Sequence, residues 1–179
     1  MTNPARRKML APAIITVVGA ATIVAAWGFE LIGGYVPCAL CLQERVPYYA
    51  GVPIALLTVA AAFAGAQTWL IRLLLLVVAA VFAYGAYLGI YHAGAEWGFW
   101  PGPADCAAGA APPVDTAADL LSQLQGMRIV SCTEASWRFP AGWGLSFAGW
   151  NAAASLFLFA VALWGAVRPA AHGSSSESQ

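Results

Sequence analysis

Four stretches of this chain run without a single charge for the length needed to cross a bilayer, and that constrains its fold more than any other feature. A hydrocarbon core of about 30 Å takes roughly 20 residues of α-helix, because lipid offers no partner for a free backbone amide or carbonyl. The spans predicted from these stretches cover about 9–29, 48–66, 73–91 and 145–167. The second is the apolar heart of an uncharged run from Val46 to Ile71, and the fourth lies within an uncharged run from Phe139 to Val167, with Trp143 and Trp150 near its start. Trp and Tyr commonly mark the membrane interface. Hydrophobic residues make up 61% of the chain and charged ones 9%, far from the balance of a soluble domain. The net charge is zero, so there is no basic surface for DNA or RNA, and no nucleic-acid partner is expected.

Only Gln67 to Arg72 separate the second and third spans, which forces an antiparallel hairpin. The fold class expected is an all-α membrane protein, a single up-down bundle of four transmembrane helices with two loops on one side, about 30–47 and 92–144. Arg6, Arg7, Lys8, Arg72 and Arg168 fall on the side of the termini, whereas the two loops hold Arg45, Arg128 and Arg138 against seven acids. The positive-inside rule then places the N-terminus (1–8) and the tail (169–179, Ser-rich and expected to be disordered) in the cytoplasm, and both loops outside it. A cleaved signal peptide ending near Val24-Ala25-Ala26 is the competing reading of the first stretch. Its apolar run is longer than a signal core usually is, and its loss would leave an odd number of spans. Within the long loop, Thr116 and Asp119 resemble a capping box, with Leu120, Leu121, Leu124 and Met127 on one helical face. A short amphipathic helix is expected there, packed on the bundle or lying on the outer leaflet.

All four cysteines, Cys38, Cys41, Cys106 and Cys132, fall in the two outer loops. Disulfides persist outside the reducing cytosol, so an even number confined there implies two pairs. Cys38-Ala39-Leu40-Cys41 closes a small ring that tends to be strained and easily reduced, which favours redox chemistry over a static staple. No metal is expected, since the second pair lacks zinc-ligand spacing. Cys41 is placed near the N-terminus of the second helix, where amides and dipole favour a thiolate. Cys106 and Cys132, taken alone, read first as a loop-closing staple, but a second pair on the same side as a reactive one, in a long loop, lets sulfur be handed to sulfur. Arg45, four residues after Cys41, shares its helical face. It could merely snorkel, or it could stabilise the Cys41 thiolate and hydrogen-bond a quinone carbonyl in the outer half of the membrane. Glu44 is nearby. His92, at the outer end of the third span, is a second candidate quinone neighbour or simply structural.

With these residues in hand, the chain resembles the DsbB family of bacterial disulfide bond formation proteins over nearly its whole length. The resemblance rests on four spans, on Pro37-Cys38-Ala39-Leu40-Cys41-Leu42-Gln43-Glu44-Arg45 before the second span, and on the outer pair Cys106 and Cys132. Trp137, Phe139, Leu145, Ser146, Trp150 and Asn151 echo the approach to the family's last helix. The resemblance implies a multi-pass inner-membrane oxidoreductase with periplasmic cysteines. In it Cys106 forms a mixed disulfide with a DsbA-like thioredoxin-fold partner, Cys132 resolves through Cys38, and Cys41 faces a ubiquinone or menaquinone tuned by Arg45. The neighbouring implications are a dedicated DsbI-like oxidase and a vitamin K epoxide reductase-like protein, and a protein whose two disulfides only hold its loops is the non-enzymatic alternative. Two departures stand out: Phe139 to Gly144 is longer than the pattern suggests, blurring the start of the fourth span, and Ala107 to Val114 is rich in Ala, Gly and Pro.

Overall fold

A computed structural model of the chain describes residues 4–103, 128–141 and 143–167. Cys106, the helix expected at Thr116 to Met127 and the tail from 169 lie outside these residues. Among the described residues, four helices are long and apolar enough to cross a membrane: α1 (Pro4–Leu31), α2 (Ala39–Phe63), α3 (Thr68–Glu96) and α4 (Phe147–Val167). The protein is an all-α, four-span membrane bundle.

The turn between α2 and α3 is compact because Gly65 adopts φ +80°, a region an L side chain rarely enters. Its amide donates to Ala62 O over 3.2 Å and that of Ala66 to Ala61 O over 2.9 Å, closing the helix in a Schellman arrangement. Lys8 Nζ reaches Ala66 O at 3.4 Å, so the start of α1 and this turn share one end of the bundle.

The helices stand in a ring in which α1 meets α2, α2 meets α3, α3 meets α4 and α4 returns to α1, with the α3–α4 seam the most extensive. Small residues make that seam close, as is usual where lipid gives no hydrophobic push between helices. A Cβ on Gly89 would stand 2.7 Å from the backbone nitrogen of Ala152, and one on Gly51 would stand 2.7 Å from the Phe82 ring. Ile15, Leu75, Val78, Phe82 and Leu158 fill the centre. The Tyr48 hydroxyl, buried among them, is satisfied by Ser155 Oγ at 3.2 Å. Val17, Val24, Leu57 and Phe63 are exposed on the outside. A bundle apolar on both its inner and outer surfaces is built for lipid.

At the opposite end, two small pairings tie the loops to the helices. β1 (Tyr35–Val36) runs parallel to β2 (Arg128–Ile129), and the Val130 amide extends the ladder to Val36 O at 3.1 Å. β3 (Arg138–Phe139) is antiparallel to β4 (Leu145–Ser146). The second pairing corrects the expected start of the last span. Leu145 and Ser146 belong to the hairpin, and α4 begins at Phe147 because Ser146 Oγ accepts the Gly149 amide at 3.2 Å and caps the helix. Between the two strands the Gly144 N–H donates to Pro140 O at 2.8 Å, closing the hairpin.

Two boundaries next to the outer loops extend beyond the expected spans. α2 begins well before Tyr48, and α3 runs past Tyr91 to Glu96. The apolar runs mark the part of each helix in lipid, whereas the helices continue into the polar layer that carries the site.

Candidate functional site

The site is built at the N-terminus of α2. Cys38 is the N-cap, with extended backbone, and its Sγ accepts the amide hydrogen of Cys41 at 3.2 Å. The two sulfurs are 2.9 Å apart, and both are free thiols. This refines the sequence expectation, which put the helix-end stabilisation on Cys41. The helix starts one residue after Cys38, so the orphan amide points at Cys38, and Cys41 sits within the first turn. The hydrogen bond from the Cys41 thiol holds the Cys38 thiol well below its ordinary range, with burial opposing and the His92 ring and the Cys41 amide assisting.

Cys38 is fully buried, and beside it lies Cys132, also buried and held in a disulfide. The sulfurs of Cys38 and Cys132 and a ring nitrogen of His92 all lie within 4.8 Å of one another. A half-cystine is not the thiolate that zinc requires, so with Cys132 in its disulfide this triangle does not present a full set of zinc ligands. The β1–β2 pairing positions it by clamping the segment just before Cys132 onto the segment just before Cys38.

Cys41 faces the other way, onto a cavity of about 350 Å³ between α1, α2 and α4, shared with Arg45, Tyr48, Trp137, Phe147 and Asn151. Cys41 and Arg45 therefore do line one space, as their helical spacing requires. Arg45 is held from α1, donating from Nη1 to Glu30 Oε2 at 2.5 Å with its guanidinium 5.5 Å from the centre of the Trp27 ring. The wall is flat and apolar. Trp137 stacks on Phe147 at 4.7 Å between centroids, and Phe29 meets Phe147 edge-on at 4.9 Å. In that wall, Asn151 Nδ2 is buried with no hydrogen-bond partner among the described residues.

His92, which the sequence offers either as a second quinone neighbour or as a structural residue, is not among the residues lining this cavity. It projects from α3 behind Cys38, with Nδ1 2.9 Å from Glu44 Oε1. Glu44, merely noted in the sequence as close to Cys41, is the residue that reaches both His92 and the cavity. Glu30, Glu44 and Asn151 were the unweighted residues of the site. Their common signal is polarity within or beside an apolar span, where an ionisable or amide group is costly unless used.

Fold and site together define a multi-pass helical membrane protein with a Cys-x-x-Cys at the head of one span, packed against a second half-cystine. A family model described as disulfide bond formation protein DsbB matches residues 7–165, and the chain belongs to that family. It is a membrane protein of disulfide-bond formation. Comparison with curated proteins and with solved structures gave no match.

Proposed function

We propose that this protein reoxidises a DsbA-like, thioredoxin-fold thiol oxidase in the periplasm and passes the electron pair to a quinone of the bacterial inner membrane. In this reading both termini are cytoplasmic, and all four cysteines face the periplasm. The observation that carries it is the position of the Cys132 half-cystine within 4.8 Å of Cys38 Sγ, while Cys41 opens onto the cavity.

The exchange proceeds in balanced steps. The partner's thiolate attacks Cys106 and frees Cys132. Cys132 attacks Cys38 and breaks the Cys38–Cys41 bond, leaving Cys41 as the thiol. The partner's second thiol then displaces Cys106 and departs oxidised. Cys106 closes back on Cys132, releasing Cys38. The result is an oxidised outer pair and a reduced Cys38 and Cys41, the oxidation states present in the structure at Cys132, Cys38 and Cys41.

The cavity residues suit a quinone. The flat aromatic wall matches a planar ring, Arg45 and Asn151 Nδ2 are donors for ring carbonyls, and the volume falls within the usual range of small-molecule sites. A bound ubiquinone or menaquinone supplies the terminal two-electron acceptor for the Cys38–Cys41 dithiol. A strong acceptor is needed because a DsbA-like couple stands at about −120 mV and ordinary structural disulfides below about −300 mV, a general shortfall of roughly 8 kcal/mol per electron pair. The capped helix start stabilises negative charge on Cys38, and the apolar wall excludes water.

Cys132→Ala tests the reading. It should accumulate a mixed disulfide between Cys106 and a small periplasmic oxidoreductase, recovered under non-reducing conditions. Absence of that adduct, with the remaining thiols inert to an added dithiol protein, would return the cysteines to a static role.

A further inference from the structure

Oxidising a dithiol to a disulfide releases two protons along with the electron pair, and the two protons start from unlike places. Cys41 opens onto the cavity, so its proton has an exit. Cys38 is fully buried and absent from the cavity wall, and its sulfur borders Cys41, His92 and the Cys132 half-cystine. Among the described residues, the base within reach of Cys38 is His92, 1% exposed at its side chain. Its Nε2 is buried with no hydrogen-bond partner among the described residues, while Nδ1 is bound to Glu44, itself 7% exposed. Burying such a pair is expensive, and hydrophobic residues of similar size would serve packing at least as well. Glu44 also lines the cavity that Cys38 does not reach.

We propose that His92 and Glu44 are a proton path from Cys38 to the cavity: Nε2 of His92 takes the proton of the Cys38 thiol, and Nδ1 gives its own to Glu44 Oε1 on the cavity wall. The proposal rests on the quinone reading above and adds the route by which its second proton travels. As the Cys38–Cys41 bond forms, the electron pair leaves through Cys41, one proton leaves Cys41 directly and the other leaves by way of His92 and Glu44. The ring is neutral again once Nδ1 has given up its proton, now as the Nε2–H tautomer, and Glu44 returns to the carboxylate when it passes its proton to the acceptor in the cavity. The Nδ1–H tautomer is regained when Cys38, released as a thiolate in the next exchange, takes the Nε2 proton back and Nδ1 is reprotonated through Glu44.

The charged and titratable groups around the path are few. Glu96, one turn after His92 on α3, accepts the Ser146 hydroxyl and stands near Arg138. Tyr48 and Cys41 of α2 border Glu44. Arg45 is turned away, to Glu30 of α1.

The test uses the full-length protein in two arms, with His92→Gln and Glu44→Gln as near-isosteric variants whose helical content is checked by circular dichroism. The first arm needs no quinone. In a Cys106→Ser, Cys132→Ser background, reduced and stripped of lipid, thiolate absorbance at 240 nm is followed against pH. His92→Gln should move the Cys38 transition up by about one pH unit or more, the equivalent of losing a favourable neighbour of the thiolate. The second arm measures quinone-dependent oxidation of a dithiol partner with all cysteines present. Both variants should lose kcat by about a hundredfold, the usual contribution of a positioned acid or base, while KM for quinone stays within about twofold. A rise in KM at unchanged kcat would make the pair a ligand contact and overturn the path, as would variants indistinguishable from the parent in both arms. If the parent shows no quinone-dependent turnover but the His92 shift is present, the quinone reading fails and the Cys38–His92 contact stands without it.

Discussion

Arg45 Nη1 lies 2.5 Å from Glu30 Oε2, so the cation on the cavity wall is aimed by a carboxylate at the far end of α1 rather than left to snorkel into the headgroups. Its side chain is 11% exposed and Glu30's is 28%, which keeps the pair within reach of solvent screening and makes its value positional more than energetic.

Arg45→Ala should therefore leave the helical spectrum intact and raise KM for quinone by about ten- to a hundredfold, the worth of one hydrogen bond to a charged group. Glu30→Gln, which still offers an acceptor, should show a smaller change in the same direction. Quinone titrations of steady-state turnover check both, and an unchanged KM in Arg45→Ala removes the guanidinium from the site.

Asn151 Nδ2 has no partner among the described residues, and an unpaired buried donor is tolerated where a ligand supplies the acceptor. Asn151→Leu should weaken quinone binding by about tenfold, one lost hydrogen bond, with little loss of fold stability. Quenching of the cavity tryptophans on quinone titration gives the reading; equal affinity would mean that Asn151 plays no part.

The clamp from Val130 N–H to Val36 O holds Cys132 over Cys38. Val130→Pro removes the donor, and an ordinary hydrogen bond of about 1 kcal/mol corresponds to roughly a fivefold change. We expect internal exchange between the outer and inner pairs to slow by that order in rapid-quench trapping, with the quinone step untouched. Slowing of the quinone step instead would contradict the clamp.

Gly89→Val would drive a side chain into the backbone of Ala152, and relief requires α3 and α4 to part. Overpacking of this kind costs about 1–3 kcal/mol, to be read as earlier unfolding in mixed detergent titrations. Gly28, with nothing within 4 Å of its Cβ position, is the matched control, and Gly28→Ala should unfold with the parent.

The lowered pKa of Cys38, due first to the hydrogen bond from the Cys41 thiol, sets a pH dependence for the reduced protein. A thiol more acidic in the folded state than its ordinary value of about 8.5 stabilises the fold fully above that value; the gain shrinks as pH falls and is gone below the folded pKa. The stability difference between the reduced parent and Cys38→Ala should thus decline as pH drops through the window below about 8.5. A difference that stays flat there would mean that Cys38 ionises normally.

Much of this protein is written along the chain, because lipid removes most alternatives. Uncharged runs long enough to span must be helices, and the short segment with Gly65 must turn back, so four spans and their hairpin follow from local physics alone. The spacing Cys38, Cys41, Arg45 likewise fixes what one helix start displays, since i and i+4 share a face.

What periodicity could not decide is which way each side of that helix start looks. Cys41 faces the cavity and Cys38 faces His92 because α1 packs on one side of α2 and α3 on the other. The approach of Cys132 to Cys38, Glu30 to Arg45 and Glu44 to His92 joins residues 94, 15 and 48 positions apart. No local rule links them. The bundle does, by closing four helices and two strand pairs into a ring, so the sequence determined the spans and the chemistry present, and only their packing decided which groups meet.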